Sequence, residues 1–204
     1  MINKISRAFL TSLVVVLAAA TGLSQTAAKK DFSNVKIENF GQMDERFYRG
    51  ARPEPGRFTS LKELGVKTII DLSDEPRAYE KDEVEALAMK YIYMPIVDKA
   101  YPTPENVESF LKIVDDPETG VFFVHCGGGK HRTGDMGALY RFEKYGWNFD
   151  QVYKEMKDFD FYSSWGHGKQ KDFVIDYAKK YEAKRAAGAG STASAAGAKT
   201  GSRQ

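Results

Sequence analysis

Residues 121–134 read VFFVHCGGGKHRTG, and they constrain the chain more than any other stretch. A run of β-formers leads straight into three glycines, and helical spacing resumes at once with Met136, Leu139 and Tyr140. Strand, glycine turn and helix in so few residues mark an α/β unit, with the turn at the carboxyl end of its strand. Residues 66–72 (VKTIIDL, after Gly65) and 91–97 (YIYMPIV) also read as buried strands. Helical stretches separate them. Thr103 as N-cap and Pro104 at the first helical position open one, with Val107, Phe110, Leu111 and Val114 on one face. Val152, Met156 and Phe159, and then Phe173, Tyr177 and Tyr181, mark two more. The alternation predicts an α/β fold with a central, mostly parallel sheet flanked by helices, whose ligands bind beyond the carboxyl ends of the strands. Cys126 stands at such an end.

The chemistry of that end follows from its residue types. Glycines at 127, 128 and 129 permit backbone conformations and close approach that side chains block, so successive N–H groups can turn into one concave nest. The helix that follows adds its unsatisfied N–H groups and the positive end of its dipole, which suits a tetrahedral oxyanion. Lys130 and His131 add positive charge, and Arg132 can grip two oxygens at once. The same field favours the thiolate of Cys126, the nucleophilic form. Together these residues predict metal-free covalent catalysis, with no cofactor, through a phosphocysteine that water cleaves.

Other chemistries fit the spacing poorly. An ATP-binding Walker loop needs Gly where Val124 stands and Ser or Thr where His131 stands. A zinc site would have to draw His125, Cys126 and His131 out of the nest. Five residues between Cys126 and Arg132 is longer than the usual sulfur-transfer loop.

A Cys, five residues, then Arg and Thr resemble the signature of the protein tyrosine phosphatase superfamily. HCGGGKHRTG is most similar to the atypical dual-specificity phosphatases of plants and fungi. FYRGARP at 47–53, followed by Phe58, Leu61, Leu64, Gly65 and TIIDLSDEP, is similar to the start of that family's domain, so the likeness spans roughly residues 46 to 180. It implies a dual-specificity-phosphatase-like fold and a phosphomonoesterase of the tyrosine or dual-specificity type. It also implies that Thr133 eases departure of the Cys126 thiolate. His125 reads as a brace for the loop, since the strand position before Cys126 points away from the nest.

The leaving oxygen needs a proton from another loop. Asp98 follows YIYMPIV and occupies the place where the superfamily carries an acid, so it is the candidate; Asp71 and Asp74, after TIIDL, are the alternatives. Asp135 on the first helical turn complements the dipole.

For the substrate, the resemblance leaves two readings. Lys130 and His131 suit a highly phosphorylated ligand, as in inositol polyphosphate or pyrophosphate phosphatases. Gly127 and Gly128, however, stand where those relatives usually carry a basic residue. Arg49, Arg52, Lys99, His167, Lys169 and Lys171 could restore basicity at the rim. A third reading keeps the fold as a non-catalytic phosphate-binding module.

Composition bounds the rest. Lys4 and Arg7 precede an apolar run from Ala8 to Ala20, with small residues at Thr26 and Ala28, so residues 1–28 read as a signal peptide and the mature protein as periplasmic or secreted. Cleavage near Ser24 fits as well. Of 30 Lys and Arg, removing Lys4 and Arg7 leaves 28 against 28 acids, which gives no electrostatic case for nucleic acid or stable membrane binding. The chain's one cysteine rules out an intramolecular disulfide. Residues 31–185 read as one phosphatase domain, expected to act as a monomer on a phosphorylated protein or inositol phosphate. Residues 186–204, rich in Ala, Gly, Ser and Thr, read as a disordered low-complexity tail.

Overall fold

The structure is a computed structural model that describes residues 31–197, with side chains described as far as residue 188. Its compact unit begins at Phe32. The signal segment expected at 1–28 lies outside the described residues.

Five strands, β1 (Gly41–Gln42), β2 (Phe47–Ala51), β3 (Thr68–Asp71), β4 (Lys90–Tyr93) and β5 (Phe122–Cys126), form one sheet in the order β1-β2-β5-β3-β4. Only β1 runs antiparallel to its neighbour; the other pairings are parallel. The α-helices are α1 (Phe58–Glu63), α2 (Ala78–Ala86), α3 (Pro104–Asp115), α4 (Arg132–Tyr140), α5 (Phe149–Asp158) and α6 (Gly168–Gly197). A π-helical turn over Arg141–Tyr145 prolongs α4 and ends at Gly146 in the left-handed conformation. This is the α/β architecture that the sequence pattern predicts. No helix among the described residues is long and apolar enough to cross a membrane.

The most apolar strand lies at the centre. Every residue of β5 is buried, and its side chains alternate between two cores. Phe122, Val124 and Cys126 belong to the core that includes Phe110, Met136, Leu139 and Phe173, on the α3, α4 and α6 side. Phe123 belongs to the other, with Phe58, Leu61 and Val84. Burying each such side chain contributes about 1.5–3 kcal/mol. The pleat therefore fixes two things at the end of β5: Cys126 faces the helix that follows it, and His125 faces the opposite side.

α3 starts where its cap predicts. The Thr103 hydroxyl accepts from the Asn106 N–H, and the Asn106 side chain accepts from the Thr103 N–H, closing a capping box. Two expectations are corrected. The YIYMPIV strand is shorter and not buried: β4 is the sheet edge, and Lys90 and Tyr93 are exposed. At the other end, α6 continues as helix to Gly197 where the composition predicted disorder from 186. Alanine is the strongest helix former, which gives this stretch a local reason to extend a helix already nucleated by packed residues. Residues 198–204 lie outside the described residues.

Candidate active site

The loop between β5 and α4 folds back over the end of β2, and its carbonyls are held from behind. Arg49 Nη2 donates to Gly129 O at 2.8 Å, and Asn39 Nδ2 donates to the same oxygen at 3.1 Å. Asn39 also reaches Gly128 O at 3.5 Å, the Arg52 N–H donates to Gly127 O at 3.1 Å, and His125 Nδ1 lies 3.4 Å from Cys126 O. Peptides whose C=O groups are tied outward present their N–H groups to the other face, which makes the concave nest at the start of α4.

The three glycines are not equivalent. Gly129 has φ +67°, and a Cβ there would lie 2.3 Å from the carbonyl carbon and oxygen of Gly50. Only glycine fits. Gly127 and Gly128 are exposed, and a Cβ at either would meet nothing nearer than 3.8 Å. The close approach that the sequence assigned to all three falls on Gly129 alone.

Cys126, Arg132 and Asp98 line one pocket of about 320 Å³ with Gly128, Lys130, His131, Tyr162 and His167. A larger cavity of about 700 Å³ lies between α3 and α6, away from the thiol. Cys126 is 3% exposed. Arg132 is oriented from one edge: Nη1 donates to Asp74 Oδ1 at 2.6 Å and to Ile96 O at 3.3 Å. Among the described residues its Nε is buried without a hydrogen-bond partner, and Nη2 is paired with Asp98 Oδ1 at 3.5 Å. The Nε and Nη2 edge is therefore the one left to grip an oxyanion. Burial works against the guanidinium charge, and the Cys126 thiolate, Asp74 and Asp98 outweigh it, so the charge is held more firmly than usual. Asp74 also accepts the Asp98 N–H at 2.9 Å. That bond, and then Arg132 against the opposing effect of burial, holds the Asp74 carboxyl below its ordinary value. Asp98 is half-exposed at the pocket mouth. Thr133 is fully buried, and its Oγ1 has no hydrogen-bond partner among the described residues.

Of the alternative acids, Asp74 is committed to Arg132 and Asp71 is buried away from the pocket. Asp71 accepts from the Ser73 N–H and from the Tyr91 hydroxyl, each at 2.8 Å. His125 sits in the same buried network, with Nε2 3.2 Å from Glu80 and Nδ1 3.7 Å from Asp71, while Arg52 pairs with Glu80 at 2.7 Å. Asp71, Glu80 and His125 are the group of potential metal ligands found among the described residues, but the Arg52 cation already occupies Glu80.

Beneath the loop lie two ionisable side chains, one of which the sequence reading placed at the rim. Arg49, named there as a rim cation, is 1% exposed and lies over the Phe159 ring at 4.1 Å. Burial lowers its pKa to about 10, against the pull of Glu155, Cys126 and Asp135. Asp135 does occupy the first turn of α4 but is fully buried. Burial first, and then the nearby thiolate, push its carboxyl well above the ordinary range; Gln170 favours the charged form without a well-aligned hydrogen bond to either oxygen. Arg52 is tied to Glu80 and to Glu75 O. Lys99 and Lys169 are exposed, and Lys171 lies over the Tyr153 ring. Of the six rim candidates, only His167 lines the pocket. Asn39 and Glu80 were missed: nothing local distinguishes a loop Asn or a helix Glu before the fold brings it to the cysteine loop.

A parallel central strand that ends in a thiol, a phosphate-sized nest and an arginine with one open edge defines a cysteine-phosphatase fold and site. The chain belongs to the family described as DSP-PTPase phosphatase fused to NAD+ kinase, which matches residues 23–174. Among curated proteins it is similar to inositol diphosphatase DSP3 of Arabidopsis thaliana, with 33% identity over 123 residues, 57% of this chain and 60% of that protein. The chain thus spans about three-fifths of that relative's length. Among solved structures, the core catalytic domain of the PP-IP phosphatase SIW14 from S. cerevisiae has a TM-score of 0.58 at 23% identity, covering 73% of this chain and 93% of that one. TpbA of P. aeruginosa, solved with phosphotyrosine, has a TM-score of 0.59 at 18% identity, covering 74% and 91%. Both share the fold.

Proposed function

We propose that this chain is a cysteine-dependent phosphomonoesterase of the tyrosine or dual-specificity type, acting through a phosphocysteine. One observation carries the reading: a buried thiol and the open Nε and Nη2 edge of Arg132 share one pocket, in a loop whose carbonyls are held outward.

The Cys126 thiolate attacks phosphorus as the bond to the leaving oxygen breaks. The nest and Arg132 hold the three equatorial oxygens, where charge is spread in the transition state. A bound phosphate takes over Nη2, and Asp98, freed from that ion pair and protonated from solvent, passes its proton to the leaving oxygen as the P–O bond breaks. Asp98 then takes a proton from the water that attacks phosphocysteine, and the Thr133 hydroxyl hydrogen-bonds the departing thiolate.

A second substrate class, inositol polyphosphates or pyrophosphates, is favoured by Lys130 at the pocket wall and by relatives with such names. Export to the periplasm or the outside is proposed on residues 1–28. The test is phosphate release by purified protein in chelator and reductant, from an aryl phosphate, phosphotyrosine peptides and an inositol polyphosphate series. Turnover of aryl phosphate or peptide is expected; preference for inositol substrates selects the second class, and no release from any supports a phosphate-binding module instead.

A further inference from the structure

His131 and His167, both lining the pocket, stack face to face, centroids 3.5 Å apart and planes 6° from parallel. They come from different elements: His131 from the cysteine loop, His167 from the turn before α6. Each ring is tethered by one nitrogen. His131 Nε2 lies 3.1 Å from Tyr162 O and His167 Nδ1 lies 2.6 Å from Gln170 Oε1, both acceptors, so each tethered nitrogen carries the proton of a neutral ring. This leaves His167 Nε2 with no hydrogen bond among the described residues, on a ring that lines the catalytic pocket.

We infer that His167 is a specificity-determining residue: its free Nε2 takes up a proton when phosphate binds and donates a charged hydrogen bond to the anion, with the stacked His131 remaining neutral. Two stacked imidazoles cannot both carry charge at this distance without strong repulsion. Burial and the nearness of His167 lower the His131 pKa to about 4, which keeps the His131 ring neutral. The charged groups around it are Lys130 on the loop and Asp98 and Lys99 on the acid loop, with Tyr162 on its own turn. From α6, Gln170 stands between it and the buried Asp135 of α4. Lys130 is partly spent on Asp160, 3.3 Å away, which leaves room for a second cation at the rim. The inference rests on the pocket being a phosphate site.

The test uses inorganic phosphate and needs no turnover, so it stays readable if the phosphatase reading fails. The chain has three histidines, so their ring signals can be followed individually in the wild-type protein. Near neutral pH, phosphate should move the His167 signal toward its protonated position, and calorimetry in buffers of different ionisation enthalpy should register proton uptake. His167→Phe, which preserves the stack, should bind phosphate about tenfold more weakly than wild type at mildly acidic pH, the scale of one charge-assisted hydrogen bond, and the difference should shrink at alkaline pH. An unmoved His167 signal overturns the inference, and so does a loss of affinity equal at both pH values, which would make the stack a purely structural prop. If the variant does not fold, the wild-type spectrum decides.

Discussion

Asp74 divides its carboxylate between Arg132 and the acid loop: Oδ1 accepts from Arg132 Nη1 at 2.6 Å, and Oδ2 accepts from the Asp98 N–H at 2.9 Å. One side chain therefore sets both the angle of the Arg132 guanidinium and the position of the candidate acid. Asp74→Asn should lower kcat/KM about tenfold, the scale of a charge-assisted hydrogen bond at a partly exposed site, without abolishing turnover. Because its folded pKa is depressed, the contribution is present above the ordinary value of 3.8 and is lost as pH falls through the lower folded value. Wild type and variant should thus differ by the same factor throughout mildly acidic to neutral assays. A ratio that collapses on mild acidification would mean Asp74 is not held low by these contacts.

Asp98 is tested through leaving groups. Asp98→Asn should reduce kcat by about a hundredfold or more for alkyl phosphates, whose oxygen must be protonated, and far less for an aryl phosphate with a good leaving group. Equal loss on both would remove Asp98 from the acid role.

The glycines should separate sharply. Gly129→Ala forces a Cβ into the Gly50 carbonyl at a positive φ, which should cost about 1–3 kcal/mol or more in thermal unfolding and disorganise the nest. Gly127→Ala and Gly128→Ala should leave Tm nearly unchanged. Because those two sites are open, Gly128→Lys should fold normally and strengthen binding of multiply phosphorylated ligands; unfolding of that variant would show the loop more crowded than these contacts imply.

Asp135 is buried with a raised pKa, so the folded state binds the proton more tightly than the unfolded one. Its contribution is most favourable below the ordinary value of 3.8 and is lost as pH rises toward the folded value. Asp135→Asn removes that penalty and should raise Tm at neutral pH, by roughly 2–4 °C per kcal/mol for a chain of this size, with a flatter pH dependence. A lower Tm would show that the carboxylate is satisfied by Arg49 and Gln170 after all.

Much of the site was legible because it is local. Strand, cysteine, glycines, arginine and helix follow one another in a single stretch, and both the α/β class and the meeting of Cys126 with Arg132 come from that order. Asp98 could be placed because it ends a strand run on the same side of the sheet. What escaped depends on packing between distant segments. Arg49 reads like any surface cation, yet β2 lies beside the central strand and carries it under the loop. Asp74 was weighed as an acid, but only the fold shows that Arg132 claims it. The run YIYMPIV looked buried because its side chains are apolar or aromatic, while the burial of β4 is decided by its place at the sheet edge. His167 is one of six basic residues that composition cannot rank, and the turn before α6 alone brings it into the pocket.

The most direct measurement is the intact mass of protein quenched in acid during turnover of an aryl phosphate, followed by peptide mapping. A mass increase of one phosphoryl group on the peptide holding Cys126, absent from a Cys126→Ser protein that no longer turns over, is the expected result. Undiminished turnover by Cys126→Ser, with no phosphorylated peptide in the wild type, would contradict covalent catalysis at this cysteine.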